Sequence, residues 1–459
     1  MGQWDAVAIA AAVLLALSFA LGGASQGHAL RLALVELASL PLLVLAAGRI
    51  LQNGLWREHR FALGLMAAIV AIPLIQLVPL PSMVWPRLPG RDQMVLALDL
   101  AGLTPGWAPL TLTPDRTWGA ALALVPPVAF VLTVISLPHI QRERMVQICV
   151  AAAIVGILLG AAQLASGGTG LYVWSWIDAG SVSGFFANRN HLASSLLVAL
   201  PFAVIFGAAT LRRRDRRTTA LWFGALFAGL VIVALAAIRS RAGITLFAPV
   251  MVVTLLAAWI AAGRGRPSRG LLVLGGSIGA ALTVVAVLAL PPILARFDAQ
   301  AAPESRFERW PLIVEAAQTY LPLGSGIGSF DAVYRSIEPL EQLDGTFFNQ
   351  AHNEYLETWL EAGWLGVAVI LAFLVWYVRR VWSAWKAPPS REGDLQRAAS
   401  IGIGVLLLHS AVDYPLRTVT LAVVFALCCG LLELAGRPER TPDQQPRVRG
   451  PGGQRPSNG

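Results

Sequence analysis

Charge is scarce in this chain. Asp, Glu, Lys and Arg make up 13% of its 459 residues and hydrophobic types 56%, where soluble proteins carry about 25% charge and roughly 45–50% apolar residues. That shortage excludes an ordinary water-soluble domain. Cysteine is also rare: Cys149, Cys428 and Cys429 all lie in apolar runs, two of them adjacent. They read as packing residues, not as a disulfide framework or a metal site. No Asp-x-Asp occurs anywhere, so the usual carboxylate pair for a metal-bound nucleotide sugar is missing. No Cys/His cluster has metal-ligand spacing, and neither a metal nor another cofactor is expected. Glu36 is the only acid well inside an apolar run, a poor endowment for an ion-coupled transporter. The first run, Ala6 to Leu21, has no basic segment before it and predicts a membrane helix, not a cleaved signal.

What is present is a succession of apolar runs long enough to cross a hydrocarbon core of roughly 30 Å. The pattern predicts an all-α integral membrane protein with about twelve spans. They fall near 5–22, 30–48, 61–79, 118–137, 145–165, 191–210, 219–238, 243–262, 270–290, 358–378, 398–412 and 418–435. The organisation expected is membrane helices over 1–290, a mostly helical periplasmic subdomain over 291–357, further membrane helices over 358–436, and a disordered tail over 437–459.

The net charge of +9 would suggest nucleic acid in a soluble domain, but its distribution points to a membrane and to no nucleic acid. The loops Arg49–Arg60, Arg142–Arg144, Arg212–Arg217, Arg264–Arg269 and Arg379–Arg397, with the tail from Arg437, hold most of the Lys and Arg residues and alternate with the other loops. Basic loops stay in the cytoplasm. Both termini are therefore expected inside a bacterial inner membrane, and the segments Ser166–Asn190, Arg239–Arg241 and 291–357 outside, with membrane lipids as the surroundings.

Polar constellations stand at those outer segments. Ile238-Arg-Ser-Arg-Ala-Gly-Ile244 joins two apolar helices against the charge bias, and 291–357 holds Arg296, Arg306, Arg309 and Arg335 among ten acids. Guanidinium forks suit phosphate oxygens. For Arg309 and Arg335 the plainer reading is headgroup contact or pairing with Glu304 and Glu308; for Arg241 and Arg306 a binding role is favoured. Ser183-Gly-Phe-Phe-Ala-Asn-Arg-Asn-His-Leu-Ala193 leads into a span; Arg189 and Asn190 are candidate substrate contacts there, although an Asn also caps helices. Ala351-His-Asn-Glu-Tyr-Leu-Glu-Thr-Trp-Leu-Glu-Ala-Gly363 places His352 and Asn353 at the mouth of another span. Histidine suits proton transfer near neutral pH, yet at a helix start it is more often a capping or packing residue. Pro322-Leu-Gly-Ser-Gly-Ile-Gly-Ser-Phe330 lacks the strand–helix context of a dinucleotide site and predicts a tight turn whose glycines let the backbone approach a neighbour or ligand. His409 to Arg417 closes a span, with Asp413 and Arg417 read as a simple ion pair.

Taken in order, Phe186-Ala-Asn-Arg-Asn-His-Leu-Ala193, Ser240-Arg-Ala-Gly243, Arg306-Phe-Glu-Arg-Trp310, Pro322–Phe330 and His352-Asn-Glu-Tyr-Leu356 resemble the O-antigen ligase and polymerase family of bacterial envelope glycosyltransferases. The resemblance implies a glycan carried on undecaprenyl diphosphate, transferred at the outer face to lipid A–core (ligase) or to another lipid-linked repeat (polymerase). It implies Arg241 and Arg306 as functional arginines and His352 as the essential histidine. The Asn-Arg-Asn-His start and the His-Ser-Ala-Val-Asp-Tyr-Pro ending depart from typical ligases toward polymerase-like relatives. A lipid-linked-sugar flippase is the competing class. It would need a polar path or matched broken helices; Pro126-Pro127 and Pro291-Pro292 break two runs without matched halves.

Overall fold

The computed structural model describes residues 4–25, 28–167, 170–174, 181–212, 219–263, 275–276, 279, 305–342 and 348–436. In chain order its main elements are α1 (Ala6–Leu21), α2 (Ala29–Gln52), α3 (Leu55–Glu58), α4 (Arg60–Gln76), β1 (Pro79–Leu80), α5 (Asp92–Leu100), β2 (Ala108–Pro109), α6 (Pro114–Ala123), α7 (Val125–Ser136) and α8 (His139–Ala165). There follow α9 (Arg189–Arg212), α10 (Thr219–Ile238), α11 (Arg241–Ala261), α12 (Ser305–Thr319), α13 (Phe330–Ile337), α14 (Glu354–Lys386), α15 (Arg391–His409) and α16 (Val419–Glu433). Among the described residues the only strands are β1 and β2, which pair antiparallel with Pro79 opposite Pro109.

The chain is thus an all-α membrane protein; its described residues do not establish the expected twelve spans. Among the described residues seven helices are long and apolar enough to cross a membrane: α2, α6 with α7, α8, α9, α10, α11 and α14. Three more apolar helices, α1, α4 and α16, are shorter than 18 residues. α15 opens with Arg391, Glu392, Asp394 and Arg397, so its apolar stretch is short. The run at 270–290 lies almost wholly outside the described residues, as does the predicted tail at 437–459.

α9 is the centre of the bundle. Every residue from His191 to Ile205 is buried, and the helix packs against α8, α10, α11 and α15. A helix that is apolar all round and surrounded by other helices has no lipid or water face left. Its 24 residues span about 36 Å at 1.5 Å per residue, so Asn190 and Arg212 mark opposite ends of the bundle. At the Arg212 end, basic side chains are paired with acids. Arg212 meets Asp394 at 2.7 Å, Arg142 meets Glu392 at 2.8 Å, and the buried Glu433 is held by Arg380 at 2.7 Å and by the His59 Nδ1 at 2.9 Å.

At the Asn190 end a second core forms outside the bundle. Ile313, Ala317, Phe330, Val333, Tyr334, Ala351 and Leu360 bury together, with Leu112, Trp310 and Phe348 packed against them. α12 and α13 therefore fold onto the first turns of α14 and onto the segment before α6. α14 is bent at Gly363, whose φ of 56° and ψ of −145° break the helix. A Cβ there would lie 2.1 Å from the Pro322 carbonyl oxygen, so both the conformation and the approach demand glycine. Gly363→Ala is expected to destabilise the protein by roughly 2–3 kcal/mol, the upper range for a strained backbone position. A thermal melt of the detergent-solubilised variant checks this, and a wild-type midpoint contradicts it.

Candidate functional site

His352 stands in a turn fixed on both sides. The Ala351 N–H donates to Glu357 Oε2 at 2.9 Å, and the Ala351 carbonyl accepts from the Trp310 indole N–H at 2.9 Å. Asn353 then caps α14, its side-chain oxygen accepting from the Tyr355 and Leu356 amides at 3.1 Å each. Between these anchors His352 adopts a φ of 50°, the left-handed region that a non-glycine residue occupies only when its surroundings over-determine it. Its Nδ1 lies 3.0 Å from the Gln350 carbonyl oxygen. A carbonyl only accepts, so Nδ1 carries the hydrogen and the basic lone pair of the neutral ring is on Nε2.

The imidazole stacks on Phe348, with ring centres 5.2 Å apart, and meets Tyr414 edge-on at 4.9 Å. The buried guanidinium of Arg309 lies 4.7 Å from the Phe348 ring on this aromatic wall. Cations bind the faces of aromatic rings, so Phe348 is one partner of Arg309. Glu304 itself is outside the described residues. Arg335 pairs instead with Asp331 at 2.8 Å.

Tyr414 leads to a second polar group. Asp413, fully buried, accepts from the Asn190 amide at 2.6 Å, and the Nε2 atoms of His191 and His409 approach it to 3.8 Å each. The Ser194 hydroxyl hydrogen-bonds His409 Nδ1, and the His191 ring also meets Tyr414, with ring centres 5.3 Å apart. Burial alone would raise the Asp413 carboxyl, but the His191, His409 and His352 imidazoles outweigh it and hold the group well below the usual carboxylate range. Asn190, foreseen as a helix cap or a substrate contact, is thus bound to a carboxylate, and it reaches His352 through Asp413 and Tyr414.

The expected Asp413–Arg417 pair is not formed. Arg417 is drawn to two buried carboxylates of α14, with Nη2 at 3.1 Å from Glu357 and 3.0 Å from Glu361. The residues at 354, 357 and 361 share one face of the helix, and all three meet loops. Glu354 accepts from the Leu416 amide at 2.7 Å and the Ser410 hydroxyl at 3.1 Å, while Glu361 accepts from the Gly328 and Phe330 amides at 2.9 and 3.2 Å. The glycine run therefore cradles a protein carboxylate and the bend at Gly363. Its other flank is a segment whose role the sequence did not announce: Ser325 accepts from the Leu112 amide at 2.9 Å, Ile327 from the Thr117 hydroxyl at 2.6 Å, and Arg116 pairs with Asp331 at 2.8 Å.

The candidates fall into two groups. His352, Asn353, Asn190 and Arg309 are brought into one connected cluster. Arg189 and Arg241 stand at the same end of the bundle on separate helix starts: Arg189 is exposed, whereas Arg241 is half-buried. Arg241 follows the cap Ser240, which accepts from the Gly243 amide at 3.1 Å. A Cβ on Gly243 would lie 2.8 Å from that of Ala193, so the start of α11 abuts the first turn of α9. Arg306 belongs to the first turn of α12, but its side chain is outside the described residues. Sequence reasoning noted His191 only as part of the polar Asn-Arg-Asn-His start and passed over His409, Tyr414, Glu357 and Glu361. The signal available was three acids at helical spacing directly after His352.

No curated protein matches the chain significantly. The family model described as O-antigen ligase matches residues 192–371, a segment that contains Arg241, Arg306, Arg309, His352 and Asn353 and stops short of Asp413 and Arg417. Over those residues the chain is similar to the O-antigen ligase family, a match that supports the O-antigen ligase/polymerase reading, and its apolar helices are those of a membrane protein.

Proposed function

We propose that this protein transfers a glycan from undecaprenyl diphosphate to a hydroxyl of lipid A–core or another acceptor, at the periplasmic face of the bacterial inner membrane. The observation that carries the reading is His352: a pinned imidazole whose lone pair is on Nε2, in the family-matched segment and at the start of a membrane helix. In this reading Nε2 takes the proton from the acceptor hydroxyl as its oxygen attacks the anomeric carbon. The carbon–oxygen bond to the diphosphate breaks, its electron pair goes to the phosphate oxygen, and the configuration inverts. The leaving group needs positive charge where negative charge grows, which fixed arginines supply in a partly dry site. Arg241, Arg306 and Arg309 are assigned that role, with Arg189, Asn190 and Asn353 as further substrate contacts. The mechanism assigns no step to a metal.

A polymerase acting on O-antigen or exopolysaccharide repeats is the second reading. It is favoured by the Asn-Arg-Asn-His start of α9 and the Asp413 loop, the two segments that resemble polymerase-like relatives, which meet through Asn190 and Asp413 at 2.6 Å. Loss of all O-chains from lipid A–core in a deletion strain, with lipid-linked polymer still made, identifies a ligase; chains of a single repeat identify a polymerase.

His352→Ala is expected to lower transfer about 10²–10⁴-fold, the usual contribution of a positioned base, while membrane insertion and donor binding persist. Normal glycan length and attachment in that variant reject the reading. Transfer by the wild-type protein should survive EDTA unchanged, measured with purified components in vesicles. For the orientation, cysteines placed at the exposed positions Arg239 and Arg57 should behave oppositely in intact cells. A membrane-impermeant maleimide is expected to label the first from outside and the second only after permeabilisation; the reverse pattern inverts the topology.

A further inference from the structure

Arg417 lies beyond the family-matched segment, and its role follows from what it touches. Its Nη2 bridges Glu357 Oε1 at 3.1 Å and Glu361 Oε2 at 3.0 Å, and these two carboxylate side chains are 1% and 0% exposed. Each carboxylate spends its other oxygen on the backbone of a different loop. Glu357 holds the Ala351 amide, immediately before His352, at 2.9 Å. Glu361 holds the Gly328 amide at 2.9 Å and the Phe330 amide at 3.2 Å. A single guanidinium thus secures, through two struts, the turn that presents the imidazole and the glycine loop that receives the bend at Gly363.

Two buried carboxylates one helical turn apart cannot both stay ionised without a cation between them. If Arg417 is lost, one of them must take up a proton or swing toward water. Glu357 is the strut with consequence for His352. Releasing the Ala351 amide removes one of the two anchors on the residue preceding a backbone held at φ 50°, and such strain relaxes when its surroundings stop enforcing it. An imidazole moved by about 1 Å loses the alignment that a proton transfer depends on.

We propose that Arg417 is a positioning residue for glycan transfer: through Glu357 it sets the orientation of His352, without itself contacting donor or acceptor. The proposal rests on the reading of His352 as the base. Because the contacts of Arg417 are internal to the protein, its replacement should act on turnover and leave donor affinity alone.

The test uses the full-length protein in liposomes, with an undecaprenyl-diphosphate-linked glycan as donor and an acceptor in excess. Arg417→Gln is expected to lower kcat at least 100-fold while the donor KM stays within threefold. Arg417→Lys, which keeps the cation but loses the planar fork, should recover at least tenfold of that loss. His352→Ala is run in parallel. If it remains active, the base reading fails and this inference falls with it. If it is inactive while Arg417→Gln keeps kcat within threefold of wild type, this inference alone is overturned. A loss confined to KM overturns it as well, because it makes Arg417 a donor contact. Should Arg417→Gln not fold, Glu357→Leu removes the same strut with an apolar group of similar reach. It must then show the same fall in kcat at constant KM, and wild-type turnover in that variant refutes the proposal.

Discussion

Two buried carboxylates one turn apart on a helix must be neutralised by the protein itself, and the architecture around His352 follows from how Glu357 and Glu361 are satisfied. In a poorly hydrated setting an unpaired carboxylate costs several kcal/mol, so every oxygen needs a donor. Arg417 serves one oxygen of each, and backbone amides from the His352 turn and from the glycine loop serve the others. Glu354, on the same face, fastens the Asp413 loop in the same way through Leu416 and Ser410. Three loops distant in sequence are therefore registered against a single stretch of α14. The bend at Gly363 is what allows that stretch to leave the direction of the membrane span and meet them. A network satisfied this completely is rigid, because each member removed strands another.

The division of labour between the ends of the bundle has a physical origin. Along α9 the side chains from His191 to Ile205 are buried by other helices, which makes this helix a fixed post. At its Arg212 end, cations are consumed pairwise by Asp394, Glu392 and Glu433. At the Asn190 end, Glu354, Glu357, Glu361 and Asp413 are turned inward and held by amides, imidazoles and Arg417, and the starts of α9 and α11 bring Arg189 and Arg241 there.

How much of this could be read from residues alone depended on whether a contact left a local trace. Long apolar runs announced the membrane class, while run length left the span count unsettled: α1, α4 and α16 are 16, 17 and 15 residues long, and α15 begins inside the basic loop that precedes its apolar stretch. His352 and Asn190 were visible because polar residues are out of place at the start of an apolar helix. Glu357 and Glu361 were not, since acids four apart on a helix ordinarily mark a solvated face; only the fold reveals a partner 56 positions away. The segment before α6 was silent for another reason. Leu112 joins the glycine loop through its backbone amide, a contact any residue makes. The glycine run was read correctly as a close approach, while what it approaches, Glu361 and Gly363, is a tertiary fact. Asp413 and Arg417 were singled out together, but each found better partners elsewhere, because in a crowded polar cluster proximity in sequence is a weak claim on a charge.

Tyr414 decides how the two polar groups at this end relate. Its ring meets both His352 and His191, and its hydroxyl is pushed up from the ordinary tyrosine range by burial first and by Asp413 next. It is therefore a neutral O–H throughout the range in which imidazoles titrate. A neutral phenol does not take the proton of an imidazolium, while the charge of His352 still acts on Asp413 through space. In the proposed reaction the departing diphosphate is a destination for the proton taken from the acceptor hydroxyl. The diphosphate is generated in step with it. In the proposed cycle a base that passes its proton to the leaving group regenerates itself within the same turnover, and an imidazole whose Nδ1 is held by the Gln350 carbonyl has its lone pair on Nε2 for that exchange.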